Sequence, residues 1–454
     1  MKEKMLLDNV KKLKKWRTLI AVFLAFVMSI SLMCTVACES GNPQEEKPGP
    51  SPEQPFDPDS PGEPGDEGST VERVEITDVG TDILLCDSVI NQYLTSKTQE
   101  EQIAVLKNHA TITAENGGVP VRFSWKGNGS VKYTLYLSDN ENFDNADTYV
   151  SSGLKTEIDV YNLLPATTYY YKVEGTRPGD CSDTLQFSTN SVSIRYIVAD
   201  GAANTRDIGG YKSNNGTVNY GKIYRGSFAG GINGLTNDGR NTFEKELKIK
   251  TEIDLRKDAK QKSEYLSENV GYYKFDVGSY TDIFDVATRN SLPETARRDS
   301  TDKSSEIKKF FEVLANESNY PVIIHCENGA DSTGTMAFLI NALLGVSEDD
   351  LIKDFELSTF SKLSGARYRS ALDADGTAFD DTGVMQNDSE AFVAFGATIN
   401  ALKENYGMPG KSLSYAVENY LTSYVGVPSE EIENVKKIML SEYTPSEIEY
   451  VDGE

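Results

Sequence analysis

The stretch "YPVIIHCENGADSTGTMAFLINALLG", residues 320–345, decides how the chain folds. Its first seven residues read as a buried strand, with Val322, Ile323 and Ile324 in a continuous apolar run. From Thr335 onward it is apolar almost all round, which predicts a buried helix. Between the two lies a short loop with Cys326, Asn328, Gly329, Asp331, Ser332, Thr333 and Gly334. A strand that ends on a cysteine, followed by a glycine-bearing turn into a helix, places a thiol at a helix N-terminus. The thiolate is stabilised there, and loop amides can cradle an anion. Gly329 lets the loop curl, and Thr333 can donate a hydrogen bond to the thiolate. His325 is expected to orient the loop by hydrogen bonds rather than to transfer protons.

Working outward, residues 192–454 alternate strand-like and helical segments. "LKIKTEIDLR" and "YYKFDV" read as strands. "SSEIKKFFEVLA" is an amphipathic helix with Ile307, Phe310, Phe311 and Leu314 on one face. "SEDDLIKDF" opens with a capping-box pattern, Ser347 to Asp350. Phe392, Phe395, Ile399 and Leu402 recur at helical spacing. The alternation predicts an α/β domain with a largely parallel central sheet flanked by helices.

The loop resembles the signature of protein tyrosine phosphatases: His-Cys, two residues, Gly, two residues, Arg, then Ser/Thr and Gly. More narrowly, residues 200–445 resemble the bacterial tyrosine-phosphatase group whose loop ends in Lys-Asp-Arg. "NTRDIGGY" (204–211), "GKIYRGS" (221–227), "IDLR" (253–256) and "DFELS" (354–358) line up with other motifs of that group. The chain has no Trp after Trp125, so the Trp-Pro-Asp acid loop of the large eukaryotic enzymes is absent. The resemblance implies hydrolysis of phosphoric monoesters without a metal or other cofactor. Cys326 would be the nucleophile, and Asp331 or Asp254 would handle the proton. His325, Asn328, Gly329, Ser332, Thr333 and Gly334 would surround the phosphoryl group. Arg206, Arg225 and Arg256 are motif arginines that could line the site. For Asp254 the alternative is a strand-end carboxylate paired with a neighbouring arginine.

The departure from the pattern bears on mechanism. Where the group has Lys-Asp-Arg, this chain has Ala330-Asp331-Ser332. In the family the arginine binds substrate and stabilises the transition state, and Ser332 has neither charge nor fork. Removal of such a clamp implies a loss of at least ~10²–10³ in rate. The missing lysine and the added Glu327 weaken dianion binding further. Two readings of function stay open: a weakened phosphatase, or a pseudophosphatase that binds an anion or a partner without turnover. A third gives the function to the preceding domain, as a surface adhesin. Phosphotyrosine, inositol phosphates and phosphoinositides all suit such a loop.

The N-terminal half has a different character. "KKLKKWR" followed by "TLIAVFLAFVMSISLM" reads as an export signal. Ala37-Cys38 then resembles a bacterial lipobox, with Cys38 lipidated and residues 1–38 as the lipoprotein signal. Thr35 stands where such boxes usually have Leu, and Cys34 follows the bulky Met33. The alternative is an uncleaved membrane anchor. Either way the folded part is expected outside the cytoplasm, tethered to a membrane. Residues 39–70 hold 8 of the 16 prolines and only Phe56 as a large apolar residue. This predicts a stiff spacer of ~3.1 Å per residue.

Residues 71–191 carry short alternating segments between turn residues, which predicts an all-β sandwich. "LLPATTYYYKV" resembles the tyrosine-corner region of fibronectin type III domains, and Trp125 sits where such domains place a core Trp. Residues 85–108 fit no strand and read as a helical lead-in. Such a sandwich spaces or binds, with a protein or glycan as partner. The formal net charge of −25 is unsuited to nucleic acid, whose phosphates need Lys and Arg to neutralise them. Cys86 and Cys181 are the one pair that an exported chain could oxidise, and spacing leaves this open. With only His109 and His325, a histidine metal site is not expected.

Overall fold

The computed structural model describes residues 73–443, apart from 108–116, 128–131, 178, 192–193, 228–233, 258–265, 293, 297–300, 362–363, 365–366 and 370–389. The expected signal segment, Cys38 and the proline-rich stretch lie outside the described residues. Among the described residues, no helix is long and apolar enough to cross a membrane.

Among the described residues, seven strands lie in the first part: β1 (Glu75–Ile76), β2 (Val121–Lys126), β3 (Tyr133–Ser138), β4 (Asp147–Val150), β5 (Glu157–Val160), β6 (Thr168–Gly175) and β7 (Leu185–Ser188). They form two antiparallel sheets, ordered β1-β2-β5 and β4-β3-β6-β7. Residues at period two along β2, β3 and β6 point to one face. Phe123, Trp125, Leu135, Leu137, Tyr171 and Val173, with Phe187 of β7, thereby share one buried cluster. Phe123 meets Tyr171 edge to face with ring centroids 5.0 Å apart, tying the two sheets together. Tyr169 is buried, and its phenol oxygen accepts a hydrogen bond from the Leu164 amide at 3.0 Å.

The expected lead-in is two helices, α1 (Ser88–Thr95) and α2 (Gln99–Lys107). Their apolar side chains do not join the strand cluster. Ile90, Tyr93, Val105 and Leu106 belong to the larger core further along the chain. The Tyr93 hydroxyl donates to Glu356 at 2.6 Å. Cys86 and Cys181 are both free thiols. No disulfide joins them: the Cys86 backbone pairs with Gly118, and that of Cys181 with Glu174 of β6. Burial, aided by Asp87, pushes the Cys86 thiol up to about 12, which keeps it protonated.

The larger core surrounds a five-stranded sheet. Its strands are β8 (Ala203–Asp207), β11 (Ile223–Ser227), β12 (Thr251–Asp254), β13 (Gly271–Lys274) and β14 (Val322–Cys326), with a small hairpin, β9 (Lys212–Ser213) and β10 (Gly216–Thr217), outside it. The order is β13-β12-β14-β11-β8; the first four strands are parallel and β8 is an antiparallel edge. Helices α3 (Asn237–Asn241), α4 (Val286–Ser291), α5 (Ser304–Leu314), α6 (Ser332–Leu343), α7 (Glu348–Leu357), α8 (Glu390–Tyr406), α9 (Leu413–Asn419) and α10 (Ser429–Met439) complete the domain. In α5, Ile307, Phe310, Phe311 and Leu314 are all buried. At the start of α7, Ser347 accepts from the Asp350 amide and donates to its carboxylate. Every residue of α6 after Ser332 is buried, as an all-apolar helix requires.

This topology fixes where the site lies. In parallel sheets, ligands bind beyond the carboxyl ends of the strands. Pairing places Ser227 opposite Cys326 and Asp254 opposite His325, so β11, β12 and β14 all end at the same edge.

Candidate active site

Cys326 ends β14, and α6 begins at Ser332. The loop between them is held from outside by its carbonyl groups. Ser227 Oγ donates to the carbonyl of Glu327. Asn204 Nδ2 donates to those of Asn328 and Gly329 at 3.2 and 3.1 Å. Arg225 Nη2 reaches Gly329 at 2.8 Å, and the Tyr280 hydroxyl reaches Ala330 at 3.0 Å. The Asp331 carbonyl accepts from the Thr335 amide and hydroxyl. In a planar trans peptide the carbonyl and the following N–H point in opposite directions. Carbonyls fixed on the supporting side therefore turn the amides of residues 328–331 the other way, as an anion nest requires.

Gly329 is required by this geometry. Its φ is +66°, and a Cβ there would lie 2.6 Å from the carbonyl carbon of Gly226 and 2.9 Å from the Ser227 amide nitrogen. Tyr280 also has positive φ, +47°. This costs a non-glycine residue on the order of 1 kcal/mol or more. It is offset by the Tyr280 amide donating to Thr335 Oγ1 at 2.7 Å and by the hydroxyl under the loop.

A cavity of about 290 Å³ opens over the loop, lined by Leu255, Arg256, Lys257, Cys326, Glu327, Asn328, Asp331 and Ser332. Cys326 is largely covered, 7% exposed, at its base. Behind it, His325 Nε2 pairs with Glu252 Oε1 at 3.0 Å, both buried, which fixes the ring. The Thr333 hydroxyl is buried with no hydrogen-bond partner among the described residues. That leaves its proton available to a thiolate.

The motif arginines divide. Arg206 and Arg225, which could have lined the site, are fully buried and are not among the residues that line this cavity. Arg206 Nε binds Asp354 Oδ1 at 2.9 Å, and Arg225 Nη1 binds Asp354 Oδ2 at 2.5 Å. They brace the loop from behind because Asp354 holds them there. Burial alone would push the Asp354 carboxyl up, but the two guanidiniums hold it below the usual carboxylate range. Arg256 does line the cavity, while gripping Asp254 through Nε at 3.0 Å and Nη2 at 2.8 Å. Asp254 is wholly buried and also accepts from the Arg256 amide and the Tyr272 hydroxyl. Burial pushes its pKa up, yet these bonds and the neighbouring positive charges hold it below the usual range. A carboxylate so fully hydrogen-bonded and ionised is a poor proton donor, and the arrangement is that of a strand-end ion pair.

Several contributors were not singled out from the sequence. Asn204 and Asp354 lie in recognised motifs, but nothing in the motifs reveals what they hold. Lys257 follows the "IDLR" stretch and forms part of the cavity wall. Arg367 carries no motif. Its Nη1 and Nη2 bind Asp331 Oδ1 and Oδ2 at 2.9 and 3.2 Å, its Nη1 also reaches the Tyr280 hydroxyl at 3.0 Å, and its Nε donates to the Ser364 carbonyl.

A family model described as the tyrosine phosphatase family matches residues 197–441. The chain belongs to the tyrosine phosphatase family. The match spans β8 to the end of α10 and includes the loop, the bracing arginines and Asp354. No curated protein matches the chain. Among solved structures, the core catalytic domain of the PP-IP phosphatase SIW14 from S. cerevisiae, in complex with citrate, is similar at 20% identity. It covers 31% of this chain and 76% of that one, with a TM-score of 0.22. A second structure of the Siw14 catalytic core matches at 21% identity over 31% and 73% of the two chains, with a TM-score of 0.21. Ser332 stands where the resemblance to the family's loop signature implies an arginine. Among the described residues, no group of three or more His, Cys, Asp or Glu side chains is placed to hold a metal ion.

Proposed function

We propose that the chain captures the phosphoryl group of a phosphoric monoester in the 326–333 loop and hydrolyses it slowly through Cys326. One observation carries this reading: the carbonyls of residues 327–330 are all bonded on the supporting side, so the loop amides converge on the cavity above the thiol. The Cys326 thiolate attacks phosphorus, and the bond from phosphorus to the ester oxygen breaks. That oxygen leaves with the electron pair and takes a proton from Asp331, the carboxyl group at the cavity rim. Water then attacks the phosphocysteine and gives a proton to the Asp331 carboxylate, which restores the acid and the thiolate and releases inorganic phosphate. Asp254 is set aside as the acid because it is wholly buried and held by Arg256 and Tyr272, whereas the Asp331 side chain, though paired with Arg367, is 41% exposed. Phosphotyrosine, inositol phosphates and phosphoinositides all remain within this substrate class.

A second reading has its own observation. Ser332 lines the cavity where the family has arginine, which favours a non-catalytic anion- or partner-binding module. Hydrolysis of a generic aryl phosphate separates the two. The chain from residue 71 is used, because α1 and α2 pack into the phosphatase core. Turnover that disappears in Cys326→Ser supports the enzyme. No turnover in the parent chain, with intact folding, leaves the binding module.

For the first part of the chain, we infer a fibronectin type III-like sandwich that carries the phosphatase-like domain on a lipid-tethered spacer. Support comes from the Tyr169–Leu164 hydrogen bond, which has the form of a tyrosine corner, and from buried Trp125. The export and lipid readings rest on the sequence around Ala37-Cys38. Mass spectrometry of the mature N-terminus tests them, and an unmodified Cys38 would remove the lipid.

A further inference from the structure

The loop needs a planar cationic fork and does not contain one. Three of the arginines around it are committed elsewhere: Arg206 and Arg225 to Asp354 behind the loop, and Arg256 to Asp254. Arg367 differs, because the carboxylate in its fork belongs to a residue of the cavity wall, Asp331. We propose that Arg367 supplies the guanidinium missing at Ser332, and that a phosphoryl group displaces Asp331 from its fork. This rests on the reading of the loop as a phosphoryl site.

The argument is one of shape and of anchoring. A guanidinium presents two parallel N–H bonds that match a carboxylate or a phosphate equally well. The fork that holds the two Asp331 oxygens at 2.9 and 3.2 Å from Nη1 and Nη2 therefore matches two non-bridging phosphoryl oxygens in shape. The partners are not equally held. Arg367 is fixed by the Ser364 carbonyl on Nε and the Tyr280 hydroxyl on Nη1, and its side chain is 11% exposed. The Asp331 side chain is 41% exposed. It sits at the N-cap of α6, where aspartate ordinarily bonds the first amides of a helix, yet it makes no such bond here. An anchored cation and a loosely held anion define the exchange: the carboxylate leaves and the fork stays. The Tyr280 hydroxyl couples the fork to the loop, because it accepts from Arg367 and donates to the Ala330 carbonyl. The released Asp331 remains at the rim, where the leaving oxygen would take its proton.

Calorimetric titration with tungstate, an oxyanion that reports binding without turnover, tests this on the parent chain and on Asp331→Asn, Arg367→Gln and the double variant. Asp331→Asn frees the fork and should tighten binding. Arg367→Gln should weaken it roughly 10- to 100-fold, the worth of charge-assisted bonds. The deciding comparison is Arg367→Gln within the Asp331→Asn background. An active fork predicts the same large loss there. An arginine that merely neutralises Asp331 predicts no loss, and that result overturns the proposal. Arg367→Lys guards against misfolding, since it keeps the charge and loses the fork; binding equal to the parent's would also overturn it. Absence of tungstate binding in the parent chain brings down the phosphoryl-site reading itself, whereas binding that ignores Arg367 brings down only this inference.

Discussion

Arg225 and Gly329 are joined by a 2.8 Å hydrogen bond from guanidinium to carbonyl, across strand β11 and the cysteine loop. The same guanidinium is held through Nη1 by Asp354 of α7. The loop therefore inherits its shape from a buried ion cluster that never touches the cavity. Three motifs separated widely in sequence meet at this point, and their shared role is support.

Asp354→Ala should destabilise the domain by about 3–5 kcal/mol, because it leaves Arg206 and Arg225 buried and uncompensated. Denaturant unfolding measures this, and a change under 1 kcal/mol would show that water or another group compensates. The Asp354 carboxyl lies below its ordinary value of 3.8 in the folded state. Its contribution is thus complete above that value and is lost as the pH falls through the lower folded value. Parent stability should drop more steeply than that of Asp354→Ala below about pH 4. Parallel curves in that range would refute the linkage.

Gly329→Ala should cost on the order of 1–3 kcal/mol through its left-handed backbone alone. The new Cβ would also press on the backbone of Gly226 and Ser227, which cannot rotate away. Loss of tungstate binding is expected to exceed the loss of stability, since amide convergence depends on this residue. A variant that binds tungstate like the parent would mean that the nest does not hold the anion.

Much of the scaffold was legible because local pattern and tertiary role coincide there. "PVIIHC" is apolar on both faces because β14 lies at the centre of a covered sheet, and α6 is apolar all round because it is enclosed. The site was legible only as far as the loop itself. Arg206 and Arg225 were recognisable as motif residues, but a motif does not say whether a guanidinium faces the cavity or Asp354. Arg367 left no signal, since its bond to Asp331 spans 36 residues without a repeated pattern. The helical lead-in was visible as helix from its composition. That Ile90 and Tyr93 pack in the phosphatase core is a matter of tertiary docking, which periodicity does not encode.

Tyr169→Phe removes the acceptor of the Leu164 amide and should destabilise the strand domain by about 1 kcal/mol. The phenyl ring can keep its stacking on Phe187, at 5.4 Å between centroids, so packing is preserved. A shift in the unfolding midpoint isolates the hydrogen bond. An unchanged midpoint would remove the main support for the fibronectin-type reading.

Ser332→Arg restores the residue that the family carries at the first position of α6. The side chain there lines the cavity beside Cys326, so a guanidinium can reach developing charge on the phosphoryl oxygens. In a loop with no other fork, such a clamp would raise aryl phosphatase activity by ~10²-fold or more. Adding Ala330→Lys should improve substrate binding, and so lower KM. The gain must disappear in a Cys326→Ser background, because the thiolate is the nucleophile. The outcome also weighs Arg367. If Arg367 already serves as the fork, the parent turns over through Cys326 and Ser332→Arg adds far less than ~10²-fold. An inert parent rescued by Ser332→Arg marks a loop that keeps its anion nest and lacks only charge. A double variant that stays inert while correctly folded would withdraw the catalytic roles from Cys326 and Asp331 together.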